Sequence, residues 1–136
     1  MTLYHPERLA DCDPDLIRLF VRVGEDRDCL VLQGARTAVE EQADMAAGRS
    51  QLKTPLDSLH VTDPILRPLA LAADVAPYPI NWTAIADFTD LATSVKVTAL
   101  NLGIGIQWGG DWTTLKDYDH FQLVHPHGTD PTTCPT

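Results

Sequence analysis

The stretch Ala72-Ala73-Asp74-Val75-Ala76-Pro77 decides how the fold is interpreted. A short apolar run that ends at prolines is typical of a buried β-strand, and Pro77 and Pro79 close this one. The run contains one acidic residue, Asp74. Burying a carboxylate is costly unless a cation or hydrogen bonds compensate it, although an Asp in a strand is also often a cap or turn residue. The run therefore predicts a strand that carries a candidate cation ligand.

The sequence after this strand predicts one long helix and two more strands. Apolar residues recur at helical spacing over residues 82–101, and glycines follow. Residues 104–108 and 121–124 are apolar runs typical of strands, separated by a Gly-Gly and acidic loop. The segment 125–136 is rich in Pro, Thr and Gly, so we expect a flexible tail there.

The sequence before the strand predicts four segments from its apolar periodicity and its helix caps. They are, in chain order, a helix over 14–23, a buried strand over 29–32, a helix over 38–47 and an irregular loop over 49–71. Thr37 and Glu40 form a capping box at the start of the third segment. Long loops in a compact domain usually carry functional residues, which directs attention to 49–71.

This order of elements predicts an α+β fold in which helices pack on one side of a small antiparallel sheet. The chain has 136 residues, of which 44% are hydrophobic, so we expect a single domain over 1–136 with one core. The cysteine count is 3, an odd number at wide spacing, which argues against a disulfide framework.

The net charge and the hydropathy of the chain argue against two kinds of partner, nucleic acids and membranes. With 10 basic residues against 19 acidic ones the net charge is −9, and the basic residues are scattered, which argues against nucleic-acid binding. No stretch approaches the roughly 18 apolar residues that span a bilayer. Residues 1–16 lack the basic and apolar regions of a secretory signal, so we expect synthesis in the cytoplasm and no membrane insertion. We also expect a monomer.

Two histidines lie where they and Asp74 could form a metal site. His60 follows Ser58 in the irregular loop, and His120 opens the last predicted strand. Catalytic zinc sites use three protein ligands and keep one position open for water. Each residue alone also fits a structural role, because a single His at a strand end is more often a hydrogen-bonded structural residue.

Four segments, in order along the chain, resemble one protein family. They are Gln33-Gly34-Ala35-Arg36-Thr37 with Glu41-Gln42, Ser58-Leu59-His60, Ala72-Ala73-Asp74-Val75-Ala76-Pro77-Tyr78, and Trp108-Gly109-Gly110-Asp111-Trp112 with Lys116-Asp117-Tyr118-Asp119-His120-Phe121-Gln122-Leu123. Together they resemble the zinc peptidases of the D-alanyl-D-alanine carboxypeptidase group, and within it the L-alanyl-D-glutamate endopeptidases that serve as phage endolysins. The resemblance covers residues 31–123 and implies a hedgehog or D-Ala-D-Ala-peptidase-like fold.

The resemblance also implies the cofactor and the residues of the site. The implied zinc ligands are His60, Asp74 and His120. Asp117 is implied as the catalytic base, which takes a proton from zinc-activated water and returns it to the leaving amine. Arg36 is implied to bind a substrate carboxylate or to stabilise the oxyanion. Ser58 either donates a hydrogen bond to substrate, orients His60 or forms a simple loop turn.

The spacing of the ligands departs from the family pattern at one place. In Ser-x-His-x-x-Gly-x-Ala-x-Asp the His and Asp are half as far apart as His60 and Asp74, which are 14 residues apart. Asp63-Pro64 occupies the place of the glycine. We interpret the difference as a loop insertion, with Asp63 as the alternative ligand and Asp74 favoured because a strand holds a ligand more rigidly. Asp119 is the corresponding alternative to Asp117.

The function that the resemblance implies is hydrolysis of the L-Ala–D-Glu bond in the peptidoglycan stem peptide. A phage endolysin of this kind is made in the host cytoplasm and acts on the cell wall or periplasm after a separate protein opens the membrane. Two alternatives stay open: a D-Ala-D-Ala carboxypeptidase or dipeptidase, and a non-catalytic zinc-containing binding or virion domain of the same fold. Asp117 favours catalysis, because we expect a catalytically dead relative to lose it.

Overall fold

A computed structural model describes residues 1–48 and 58–124. Its elements, in chain order, are β1 (Leu3–Tyr4), α1 (Pro14–Asp26), β2 (Cys29–Gln33), α2 (Ala38–Ala46), β3 (Ala72–Pro77), α3 (Ile85–Leu102), β4 (Ile106–Trp108) and β5 (His120–Leu123). Short 3-10 helices span Pro6–Leu9 and Gly109–Asp111. The expected flexible tail and the part of the predicted loop over 49–57 lie outside the described residues.

The five strands form one sheet in the order β1-β2-β3-β5-β4. The pairs among β2, β3, β5 and β4 are antiparallel, whereas β1 pairs parallel with β2. The predicted α+β class is confirmed, and the sheet is mixed only because β1 joins its edge. Two residues are too few to show a strand periodicity, which is why the sequence did not predict β1. The predicted strand over 72–77 is confirmed as β3 and lies at the centre of the sheet.

Helices α1 and α3 contact each other and cover the apolar face of the sheet. The predicted stripe of α1 is buried, and Phe20 packs edge to face against Phe121 of β5 with ring centroids 5.5 Å apart. α3 contacts β3 and β4 and buries Phe88. All three phenylalanine rings are fully buried, so the core lies between this helix pair and the sheet.

The helix bounds differ from the predicted ones for local reasons. α1 continues to Asp26, where Arg22 pairs with Glu25 and Asp26 on the exposed side at 3.2 and 3.1 Å. Such pairs support a helix without contributing to its apolar periodicity. α3 starts later than predicted because Asn81 forms a turn with Thr83, and it ends at Gly103, whose φ is 72°. In the described part of the chain, no helix is both long and apolar enough to cross a membrane.

We predict that Phe20→Ala destabilises the protein by about 3–5 kcal/mol, because it leaves a cavity between α1 and β5. The matched control is Val21→Ala on the next residue, whose 47% exposure predicts a change within about 0.5 kcal/mol. Urea denaturation followed by circular dichroism measures both. Equal destabilisation by the two substitutions would contradict the placement of the core.

Candidate metal centre

The pairing of β3 with β5 places two of the predicted ligands side by side. Asp74 and His120 are directly opposite each other in antiparallel register. Successive residues of a strand point to opposite faces, and Phe121 enters the core beneath the helices. His120 and Asp74 therefore lie on the face of the sheet that α1 and α3 do not cover.

His60 reaches the same place from the irregular segment before β3. Its carbonyl accepts a hydrogen bond from the backbone N–H of Arg36 at 2.7 Å, and its own N–H donates to Ser58 Oγ at 3.3 Å. The Leu71 N–H donates to the carbonyl of Leu59 at 2.8 Å and ties this turn to the start of β3. Backbone hydrogen bonds, rather than regular structure, therefore position His60, which is only 4% exposed.

Three side-chain atoms of these residues form a nearly equilateral triangle. His60 Nε2 lies 3.2 Å from His120 Nδ1 and 3.2 Å from Asp74 Oδ1, and His120 Nδ1 lies 3.4 Å from Asp74 Oδ1. Nitrogen and oxygen ligands at about 2.0–2.1 Å from a tetrahedral zinc ion are about 3.3 Å apart. The triangle therefore matches one face of such a coordination tetrahedron.

The outer nitrogens of both imidazoles have hydrogen-bond acceptors, which fixes the tautomers. His60 Nδ1 lies 2.9 Å from the carbonyl of Gly34, and His120 Nε2 lies 2.8 Å from Gln122 Oε1. We assign the protons to these nitrogens, since a carbonyl or amide oxygen can only accept. Each imidazole then presents a lone pair to Asp74, whose Oδ1 is buried and has no hydrogen-bond partner among the described residues. Three acceptors that face one another in this way fit a metal ion.

The electrostatics of the triangle favour positive charge. Burial alone would raise the pKa of Asp74. In the absence of a metal, protons on the inner nitrogens of His120 and His60 would hydrogen-bond to this carboxylate, and they outweigh burial and lower its pKa below the ordinary value. For His120, burial alone would lower the pKa, but Asp74 outweighs it and raises the pKa above the ordinary value. The site therefore holds a largely buried carboxylate, 17% exposed, that needs a cationic partner.

Asp117 and Asp119 lie beside this triangle, in the turn that precedes β5. The His120 N–H donates to the carbonyl of Asp117 at 3.3 Å, and this hydrogen bond closes the turn. One oxygen from each of Asp74, Asp117 and Asp119 lies within 4.8 Å of the others. Burial and then a hydrogen bond with Asp117 raise the pKa of Asp119 to about 9.

Sequence reasoning missed a hydrogen-bonded group that supports His120. Gln122 Nε2 donates to Gln107 Oε1 at 3.0 Å, and the indole N–H of Trp112 donates to the same oxygen at 3.3 Å. The ring of Trp112 lies 5.1 Å from that of His120. The signal was present in the spacing His120-x-Gln122, because residues two apart on a strand share a face.

The other predicted site residues have partners within the protein. Ser58 Oγ binds the His60 N–H, which fits the orienting role. The guanidinium of Arg36 contacts Glu41 and Gln33, and no described contact joins it to the triangle. Asp63 Oδ1 accepts hydrogen bonds from two backbone N–H groups of its own loop, at 2.9 Å each, so the structure does not bring this alternative ligand to the site.

Comparisons with known proteins agree with the motifs. The model of the family described as phage L-alanyl-D-glutamate peptidase matches residues 4–126. The L-alanyl-D-glutamate peptidase of Escherichia phage T5 is 31% identical over 117 residues, which cover 82% of this chain and 80% of that protein. The crystal structure of the L-Ala D-Glu endopeptidase ChiX from Serratia marcescens superposes with a TM-score of 0.72 at 30% identity, covering 88% of this chain and 85% of ChiX.

We predict that Gln122→Leu lowers the affinity for Zn²⁺ by about 10- to 100-fold, because His120 loses the acceptor that fixes its tautomer. Competition with a chromophoric chelator measures the affinity. Gln42→Leu, the same change at an exposed position of α2, serves as the control and should leave the affinity unchanged. An unaltered affinity in Gln122→Leu would show that this hydrogen bond does not orient the ligand.

Proposed function

Because the chain belongs to the phage L-alanyl-D-glutamate peptidase family, we propose that it is a zinc-dependent peptidoglycan endopeptidase that hydrolyses the L-Ala–D-Glu bond of the stem peptide. The observation that supports the zinc proposal most strongly is the triangle of His60, Asp74 and His120, with mutual distances of 3.2–3.4 Å. Two imidazoles and one carboxylate are a ligand set of known zinc peptidases. We further propose a monomeric catalytic domain that acts on the cell wall after its release from the cytoplasm.

The proposed chemistry depends on the metal ion and on the residues that hold its ligands in place. A bound zinc ion supplies a Lewis acid that acidifies water and polarises the scissile carbonyl. Gly34 and Gln122 hold the imidazoles in the tautomers that present their lone pairs to the ion. Ser58 holds the backbone of His60 by accepting its N–H.

Asp117 is the proposed general base. Its carboxylate lies next to that of Asp74 and outside the triangle, so it can reach water at the site without acting as a ligand. It takes a proton from the attacking water and donates it to the amine of D-Glu as the peptide bond breaks. Asp119 is the alternative base; it hydrogen-bonds with Asp117 and would hold that carboxylate in place.

Digestion of purified peptidoglycan tests the substrate bond. Mass spectrometry of the soluble fragments should show new peptides that begin with D-Glu, and glycan-linked L-Ala should remain. Release of free D-Ala instead would support the D-Ala-D-Ala carboxypeptidase reading, and the absence of any fragments at saturating zinc would support a non-catalytic domain.

We predict that Asp117→Asn retains zinc and lowers kcat by about 10²–10⁴-fold, because the amide cannot accept the proton. Asp119→Asn is the discriminating variant: an amide can still hydrogen-bond with Asp117, so most of the activity should remain. Turbidity of a peptidoglycan suspension gives the rates, and zinc content is measured on the same samples. The reverse ranking of the two variants would assign the base to Asp119.

We also predict that His60→Ala and His120→Ala lose bound zinc together with activity, since two ligands hold the ion far more weakly than three. His5→Ala, which changes an exposed imidazole that binds only Glu7 in the described contacts, should keep one zinc per chain. Metal analysis by mass spectrometry after dialysis checks this. Full zinc content in either ligand variant would refute the ligand assignment.

A further inference from the structure

A buried ion pair joins Arg36 to α2 close to the metal centre. Glu41 of α2 is fully buried, and the Arg36 side chain is 14% exposed. Arg36 Nη1 donates to Glu41 Oε2, and Nη2 donates to Gln33 Oε1 at 2.6 Å. Asp44 Oδ2 lies 3.7 Å from Arg36 Nε. The guanidinium is thus surrounded by carboxylates of the protein itself, which would compete with any carboxylate of a substrate.

The backbone of Arg36 holds the segment that contains His60. Its N–H donates to the carbonyl of His60 at 2.7 Å, and its carbonyl accepts the N–H of Thr62 at 3.1 Å. These two bonds lie on either side of Val61, with which Arg36 forms a parallel bridge. A displacement of Arg36 would therefore move the residue that carries one ligand.

The residues just before Arg36 touch the other parts of the site. Gln33, which binds the guanidinium, pairs with Asp74 across β2 and β3 at an irregularity in the register. The carbonyl of Gly34 binds His60 Nδ1. Residues 33–36 therefore contact His60 through both its ring and its backbone, and they lie beside the carboxylate ligand.

We propose that Arg36 and Glu41 are positioning residues: their buried ion pair, together with the hydrogen bond from Arg36 to Gln33, holds residues 33–36 against His60 and Asp74, so that these ligands are in place before the metal binds. The proposal rests on the zinc function proposed above. It gives Arg36 a role different from substrate binding, and it assigns a role to Glu41, a residue of the Glu41-Gln42 motif. Removing one member of a buried pair leaves the other charge uncompensated, so the segment would move or admit water.

Zinc affinity of the purified chain, measured by chelator competition, tests the proposal separately from catalysis. Glu41→Gln should lower the affinity by about 10-fold, the low end of the loss seen when a group bonded to a ligand is removed, because Glu41 acts through Arg36. Arg36→Gln should lower the zinc affinity similarly. The double variant Arg36→Gln/Glu41→Gln should lower the affinity by less than the product of the two single effects, because it leaves no member of the ion pair buried without its partner. Glu25→Gln, the same change in the surface pair with Arg22, is the control and should have no effect.

Steady-state kinetics at saturating zinc separate positioning from substrate binding. If Arg36 positions the ligands, KM for peptidoglycan fragments stays within about threefold in the variants that are loaded with zinc. If Arg36 instead binds a substrate carboxylate, Arg36→Gln raises KM at unchanged zinc affinity, Glu41→Gln has no comparable effect, and the proposal is overturned.

Arg36→Lys keeps the test decisive if the neutral variants do not fold. Lysine retains the charge opposite Glu41 but cannot donate to Glu41 and Gln33 through two separate nitrogens. Its circular dichroism should remain native while its zinc affinity falls, and native affinity would overturn the proposal. If neither the unmodified chain nor His60→Ala binds zinc, the proposed zinc function fails. Equal zinc affinities in the unmodified chain and in the Arg36 and Glu41 variants would instead overturn only the positioning role.

Discussion

The carboxylate of Asp74, in the central strand of the sheet, is the constraint on which the site depends. It faces two imidazoles whose protons are donated to Gly34 and Gln122, away from it. A buried carboxylate in such a position needs a cation. The antiparallel register of β3 and β5 brings His120 opposite Asp74, and backbone hydrogen bonds bring His60 to the same point. Strand pairing and backbone hydrogen bonds therefore place His120 and His60 around the carboxylate of Asp74.

The segment between His60 and Asp74, which we interpreted as a loop insertion, folds back on itself. Asp63 and Arg67 exchange backbone hydrogen bonds of 2.6 and 3.0 Å, so the inserted chain turns back on itself. Arg67 Nη1 also donates to the carbonyl of Ser58 at 2.6 Å. The loop thus closes near its own start, between the two candidate ligands His60 and Asp74.

The sequence predicted the regular elements well and the irregular ones poorly. The strand at 72–77 and the capped helix after Thr37 could be predicted because their signals, an apolar run and a capping box, are local. The edge strand β1 could not, because its two residues form a strand only by pairing with β2. The same limit applies to the partners of Arg36, since no local pattern shows that Glu41 is buried.

The candidate ligands were found by resemblance, and their convergence could not be derived from the sequence. His60 and Asp74 are joined by a loop without periodicity, so the distance between them depends on tertiary hydrogen bonds such as that from Arg36 to His60. Gln122 was within reach of sequence reasoning, because its position two residues after His120 on a predicted strand places both on one face. Gln107 was not, since its partner depends on the pairing of β4 with β5.

X-ray absorption at the zinc edge reports the atoms around the metal in the purified chain, so it can identify the ligands. We predict one zinc per chain, with two imidazole nitrogens and oxygen ligands at about 2.0–2.1 Å. Sulfur scattering at about 2.3 Å, or a single imidazole, would place the metal elsewhere and contradict the site built on Asp74.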